Sequence, residues 1–122
     1  MQVIMGKETR EHKCLGIIIE KFEVYDVDWL NYEINKGDPL TFHHIKPKRE
    51  GGTTIITNGA PLTISSHTKF HVIERKNYII AKQLTRLFRS LHELEKPADE
   101  EYYDQVRYYL DKYENKRVRV RF

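Results

Sequence analysis

Four of the six histidines of this chain fall between positions 43 and 71, and their arrangement restricts the fold more than any other feature. His43 and His44 are adjacent in LTFHHI, a run with the residue types of a strand; His67 and His71 stand four apart in a stretch that can be helical. An i, i+4 pair presents two imidazoles on one helical face, where both can bind one metal ion while a third ligand comes from another element. His43 is the natural third ligand. Neighbouring strand residues point to opposite sides, so His43 and His44 take different roles. A neutral histidine with an ordinary pKa near 6.5 is suited to accept a proton from water.

The surrounding pattern supplies the elements such a cluster requires. Leu40–Ile45 reads as a strand, KPKREGG as a turn containing Gly51 and Gly52, and TTIIT as a second strand, broken by Asn58, Gly59 and Pro61. A helix follows from Leu62 through His67 and His71, burying Leu62, Phe70 and Ile73. Ile80, Leu84, Leu87 and Leu91 predict a helix over Asn77–Leu94, and Asp99 caps a third reaching about Tyr113. Upstream, residues 13–25 suit a strand. Asp26 is positioned to cap a short helix over Val27–Asn35, ended by Gly37 and Pro39. Residues 1–12 are polar and expected to be loose, and the KRVRVRF tail alternates like an exposed strand.

At 122 residues the chain fits one domain, 1–122, with a motif core at 40–73, an N-terminal strand and helix at 13–36 and C-terminal helices at 77–113. Hydrophobic residues make up 39% and charged residues 32%, and eight Tyr and five Phe supply a core, which excludes a disordered chain. The net charge of +3 gives only slight support to a polyanionic partner. The single cysteine, Cys14, permits no internal disulfide and reads as a small apolar residue. The longest apolar run near the N-terminus, Leu15–Ile19, is too short for a signal peptide or membrane span, so a cytoplasmic protein with no membrane partner is expected.

FHHIKPKREGG followed by TNGAPLTISSH resembles the motif of the HNH endonucleases, the ββα-metal (His-Me finger) nucleases. In that family an acidic residue or a histidine precedes the catalytic histidine, a glycine-containing turn follows, an asparagine ends the second strand and a histidine lies nine residues further on the helix. The matching positions are His43, His44, Gly51 and Gly52, Asn58 and His67, with the spacing of nine kept. His71 resembles the additional ligand of the nuclease domains of DNase colicins.

The resemblance implies an α+β fold: a hairpin-and-helix core with additional C-terminal helices and a short terminal strand. It implies His43, His67 and His71 as metal ligands, His44 as general base and Asn58 as the residue that braces the hairpin and helps orient that base. The expected activity is divalent-metal-dependent hydrolysis of nucleic acid, foremost DNA, as in small nucleases of phages and mobile elements. Three imidazoles favour Zn, Ni, Co or Mn over Mg. Thr63 and Ser66 stand where many members carry cysteines, so no second, structural zinc site is expected.

Lys46, Lys48, Arg49, Lys69, Arg75 and Lys76 are candidates for a phosphate path, although charge runs are ordinarily solvated faces. Asn58 before Gly59 is also a common turn former. His12 and His92 lack partners in sequence and read as structural. Two alternatives stand beside the nuclease: a nucleic-acid-binding module stapled by its metal without catalysis, and a toxin-like nuclease acting on RNA or a rival cell's DNA.

Overall fold

The computed structural model describes residues 9–120, with side chains through 115. Its elements are α1 (Arg10–Phe22), β1 (Leu40–His44), β2 (Gly59–Thr63), α2 (Ile64–Lys76), α3 (Tyr78–Leu94) and α4 (Glu100–Val120), with single 3-10 turns at Lys48–Glu50 and Ile56–Asn58. The fold is α+β: an antiparallel hairpin, β1 with β2, packed against α1 on one side and α2 on the other.

The segment expected as a strand at 13–25 is helical. Leu15, Ile18 and Phe22 recur at helical spacing and are all buried, whereas Ile17 is turned outward. Thr9 Oγ1 accepts from the His12 amide at 3.1 Å and starts the helix; Glu23 ends it in the left-handed region at φ 53°.

The expected helix at Val27–Asn35 does not form, because Asp28 occupies the amides it would need. Its Oδ1 accepts from the backbone of Leu30 at 2.8 Å and Tyr32 at 2.9 Å, and Asn31 adopts φ 69°. The fully buried Asp28 also reaches across the fold: its Oδ2 accepts from Thr63 N at 2.7 Å and Ser66 Oγ at 2.5 Å, where α2 begins. Trp29 beside it donates its amide to the Pro61 carbonyl at 3.3 Å and accepts at its own carbonyl from Tyr102 Oη of α4 at 2.8 Å.

The second strand lies at Gly59–Thr63 and not at TTIIT. His43 pairs with Ala60, Phe42 with Pro61 and Leu40 with Thr63. Proline is tolerated because the polar backbone of Pro61 faces away from β1, as its carbonyl bond to Trp29 shows, so no ladder donor is lost. Gly59 must be glycine, since a Cβ there would collide with the Phe42 ring and Ile18. The 48–52 turn closes with Gly51 at φ 93°.

α2, α3 and α4 begin at side-chain caps: Thr63 Oγ1 on Ser66 N, Asn77 Oδ1 on Ile80 N and Asp99 Oδ1 on Tyr102 N. Ile80, Leu84, Leu87 and Leu91 form the buried stripe of α3. They meet Phe70, Ile73, Trp29 and Phe22 in one core, where each large apolar side chain contributes about 1.5–3 kcal/mol. α4 extends through Val120, so the terminal strand expected from KRVRVRF is helical up to that residue; residues 121–122 lie outside the described part, as do 1–8 at the other end. No helix of the described residues is long and apolar enough to cross a membrane.

Candidate metal centre

β1 turns His43 toward α2, where it is 4% exposed, and α2 presents His67 and His71 one turn apart on the face opposite it. One donor nitrogen from each of the three lies within 4.8 Å of the other two. His43 Nδ1 and His67 Nε2 are 3.3 Å apart. Two ligands at about 2.0–2.1 Å from a tetrahedral ion stand about 3.4 Å apart, so this pair is already spaced as neighbouring ligands of Zn²⁺ or a similar ion.

Two further side chains fix which nitrogens face inward. Thr41 Oγ1 donates its one proton to the Leu62 carbonyl at 2.7 Å, so toward His67 Nδ1, at 2.8 Å, it acts as acceptor. His67 therefore carries its proton on Nδ1 and keeps a lone pair on Nε2. The Glu74 carboxylate accepts from His71 Nδ1 at 3.0 Å, leaving His71 Nε2 as its ligand atom. Both contacts have the form that metal-ligating histidines use to set tautomer and orientation.

The electrostatics favour neutral ligands. Burial holds the His43 pKa well below its ordinary value, reinforced by His67, His71 and His44, and Phe70 and Phe88 pack its ring with centroids at 4.7 and 5.8 Å. Burial, with His71 second, also lowers His67. His71 is the most accessible of the three, its side chain 45% exposed. The residues present thus fit a divalent ion, and three ligands leave coordination open for a further group.

His44 points to the other side of β1, as strand alternation requires, and its Nε2 lies 2.9 Å from Thr54 Oγ1. Its ring packs edge-on to Phe42, and its pKa is lowered, first by burial and then by Lys48, against an opposing pull from Glu11. It nevertheless lines the same cavity of about 190 Å³ as His43, His67 and His71, together with Lys48, Arg49 and Glu74. Asn58 makes no hydrogen bond to His44. Its Oδ1 accepts from Lys46 N at 2.8 Å, and its Nδ2 donates to the carbonyls of Lys46 at 3.1 Å and Thr53 at 2.9 Å. It therefore ties together the two ends of the turn, and Thr54, the partner of His44, follows one of its anchors.

The candidate cations separate. Lys48 borders the histidine cavity and pairs with Glu11 at 3.7 Å, Lys46 and Arg75 line an adjoining cleft, and Arg49 lines both. Lys69 is bonded to Glu114 of α4, and Lys76 lines neither space. His92 is structural: its ring packs against both Phe22 and Trp29, and its Nε2 donates to the Gly59 carbonyl at 2.8 Å. Thr41, Thr54 and Glu74 escaped the reading of the sequence. Two carried a positional signal, since Thr41 shares the strand face of His43 and Glu74 lies three residues beyond His71 on the helix. No family model, curated protein or solved structure matches this chain.

Proposed function

We propose that this protein is a metal-dependent nuclease of the HNH kind, hydrolysing phosphodiester bonds of nucleic acid, foremost DNA. One observation carries this reading: three histidines converge with donor atoms within 4.8 Å, and a fourth, His44, lines their cavity while engaged by Thr54 and not by the other three. A module that only needs a metal staple has no use for the fourth. The hairpin packed on a helix that carries two of the ligands is the arrangement expected of a ββα-metal core.

His43, His67 and His71 would hold a divalent ion, which when bound would supply Lewis acidity to the phosphodiester. The chain's own residues do the rest. His44, in the tautomer that donates Nε2–H to Thr54 Oγ1, keeps a lone pair on Nδ1 that takes the proton of the attacking water. Its lowered pKa keeps that lone pair free at neutral pH. Thr54 fixes the ring, and Asn58 holds the loop bearing Thr54 to the start of the turn. Lys48 and Arg49 place positive charge on the cavity wall, where a phosphate would enter.

Incubation of the purified protein with supercoiled plasmid and a panel of Zn²⁺, Ni²⁺, Co²⁺, Mn²⁺ and Mg²⁺, with and without chelator, tests the reading. Ion-dependent nicked or linear product that chelator abolishes is expected. Plasmid binding without cleavage under any ion would favour the metal-stapled binding module.

A further inference from the structure

Beside the histidine cavity lies a second, larger cleft of about 460 Å³ between the 46–50 turn and the meeting of α2 with α3. The two spaces share Ile45, Pro47, Arg49, Glu74 and Thr85 as walls, so one opens along the flank of the other. Six cations line the cleft: Lys46 and Arg49 from the turn, Arg75 from the end of α2, and Lys82, Arg86 and Arg89 from α3. The last three recur at spacings of four and three, which puts them on one exposed helical face, opposite the buried stripe of Leu84, Leu87 and Leu91.

Among the described residues none of the six is within ion-pair distance of a carboxylate, in contrast to Lys48, Lys69 and Arg107. Only two carboxylates line the cleft, Glu50 and Glu74, and Glu74 is engaged by His71. Like charges gathered on a concave wall repel one another, and a chain of regularly spaced anions relieves that repulsion. The same wall carries Tyr78, 61% exposed, whose ring lies 5.6 Å from Lys82 Nζ and offers a flat apolar face that a simple inorganic anion would not use.

We propose that this cleft binds the phosphodiester backbone of a nucleic-acid strand where the strand leaves the histidine site, with Lys82, Arg86 and Arg89 as the contacts that the turn and α2 alone do not supply. The inference rests on the nuclease reading for its direction, because the cleft leads away from the candidate metal centre. It adds α3, outside the motif core, as half of the binding surface. Lys69 and Lys76 are not part of it.

The test compares two triple variants of the full chain. K82Q/R86Q/R89Q removes the α3 face, and K13Q/K36Q/K112Q removes the same charge from exposed positions elsewhere. Binding of a fluorescein-labelled 16-nucleotide strand is measured by anisotropy in chelator across a salt series, and hydrolysis of bis(p-nitrophenyl) phosphate, too small to reach the cleft, is measured with the activating ion. The cleft variant is expected to bind about tenfold or more weakly near 0.1 M salt, with the slope of log affinity against log salt shallower by roughly 2, as loss of about three phosphate contacts requires. The control should stay near wild type, and both variants should keep the small-substrate rate. Equal weakening in the two variants, or an unchanged slope in the cleft variant, would overturn the proposal. Failure of the wild type to hydrolyse the small diester or plasmid under any ion counts against the nuclease reading alone, since the binding arm contains no ion.

Discussion

Thr41 and His67 are joined by a hydrogen bond whose direction is fixed from outside the pair. Because the Thr41 hydroxyl gives its proton to the Leu62 carbonyl, it receives one from His67 Nδ1, and His67 Nε2 faces His43 with its lone pair free. A strand residue thus sets the tautomer of a helix residue, and the backbone of the second strand sets the strand residue.

Thr41→Val keeps the shape of that side chain and removes its hydroxyl. Loss of such an outer partner typically lowers metal affinity about 10–100-fold, and that range is expected here for Zn²⁺ or Ni²⁺ by calorimetry, with Thr41→Ser near wild type. His67→Ala, which removes a ligand outright, should bind more weakly than either. Unchanged affinity in His67→Ala would refute the ligand assignment.

On the proposed nuclease reading, in which His44 is the base, His44→Ala separates chemistry from binding. The three converging histidines remain, so metal and DNA affinity should stay close to wild type, while plasmid cleavage falls by about 10²–10⁴, the usual worth of a general base. Thr54→Val should lower the rate by less, because the base remains and only its orientation loosens. Cleavage by His44→Ala as fast as wild type would show that the base lies elsewhere.

Asp28→Ala should cost more stability than any single ligand substitution. It strips acceptors from three backbone amides and the Ser66 hydroxyl, each unsatisfied buried group costing about 1–3 kcal/mol before relaxation. A loss of roughly 3 kcal/mol or more in urea unfolding is expected, together with weaker metal binding, since α2 would lose the anchor at its first turn. Stability within experimental error of wild type would show that water replaces the carboxylate without penalty.

Metal-free protein should lose stability as the pH falls below about 6.5. In the unfolded chain histidines take up protons near that value, whereas burial holds His43, His44, His67 and His92 lower in the folded state, His92 against the raising effect of the Gly59 carbonyl. The unfolded state therefore binds more protons in this window, and the loss continues until the folded-state values are reached. Well above pH 7 these four groups contribute little slope. Urea midpoints in chelator at pH 7.5, 6.5 and 5.5 should decrease in that order.

The sequence disclosed the parts of the fold where side-chain spacing and caps agree. α3 follows from Ile80, Leu84, Leu87 and Leu91 behind Asn77, and α4 starts at Asp99 as its cap requires. β1 and the turn after it were legible, and so was the convergence of His43 with His67 and His71. α1 was not, because the β-branched run Ile17–Ile19 masks the helical spacing of Leu15, Ile18 and Phe22. The loop at 27–35 was not legible either: Asp28 turns the chain through the amides of Leu30 and Tyr32, and its carboxylate is held in place for this by Thr63 and Ser66, which are remote in sequence. Pro61 argued against a strand in sequence, and only the outward direction of its backbone, fixed by Trp29, reconciles it with one.

The bond from Tyr102 Oη to the Trp29 carbonyl spans 73 positions of sequence, and Trp29 in turn holds Pro61 in the second strand. The strand edge of segment 40–73 is thus closed by a residue from the first third of the chain, which is itself closed by one from the last helix. Contacts of such long range carry the entropy cost of closing a large loop, so the strand that pairs with His43 is expected to depend on the cooperative closure of the whole chain and not on a local hairpin alone.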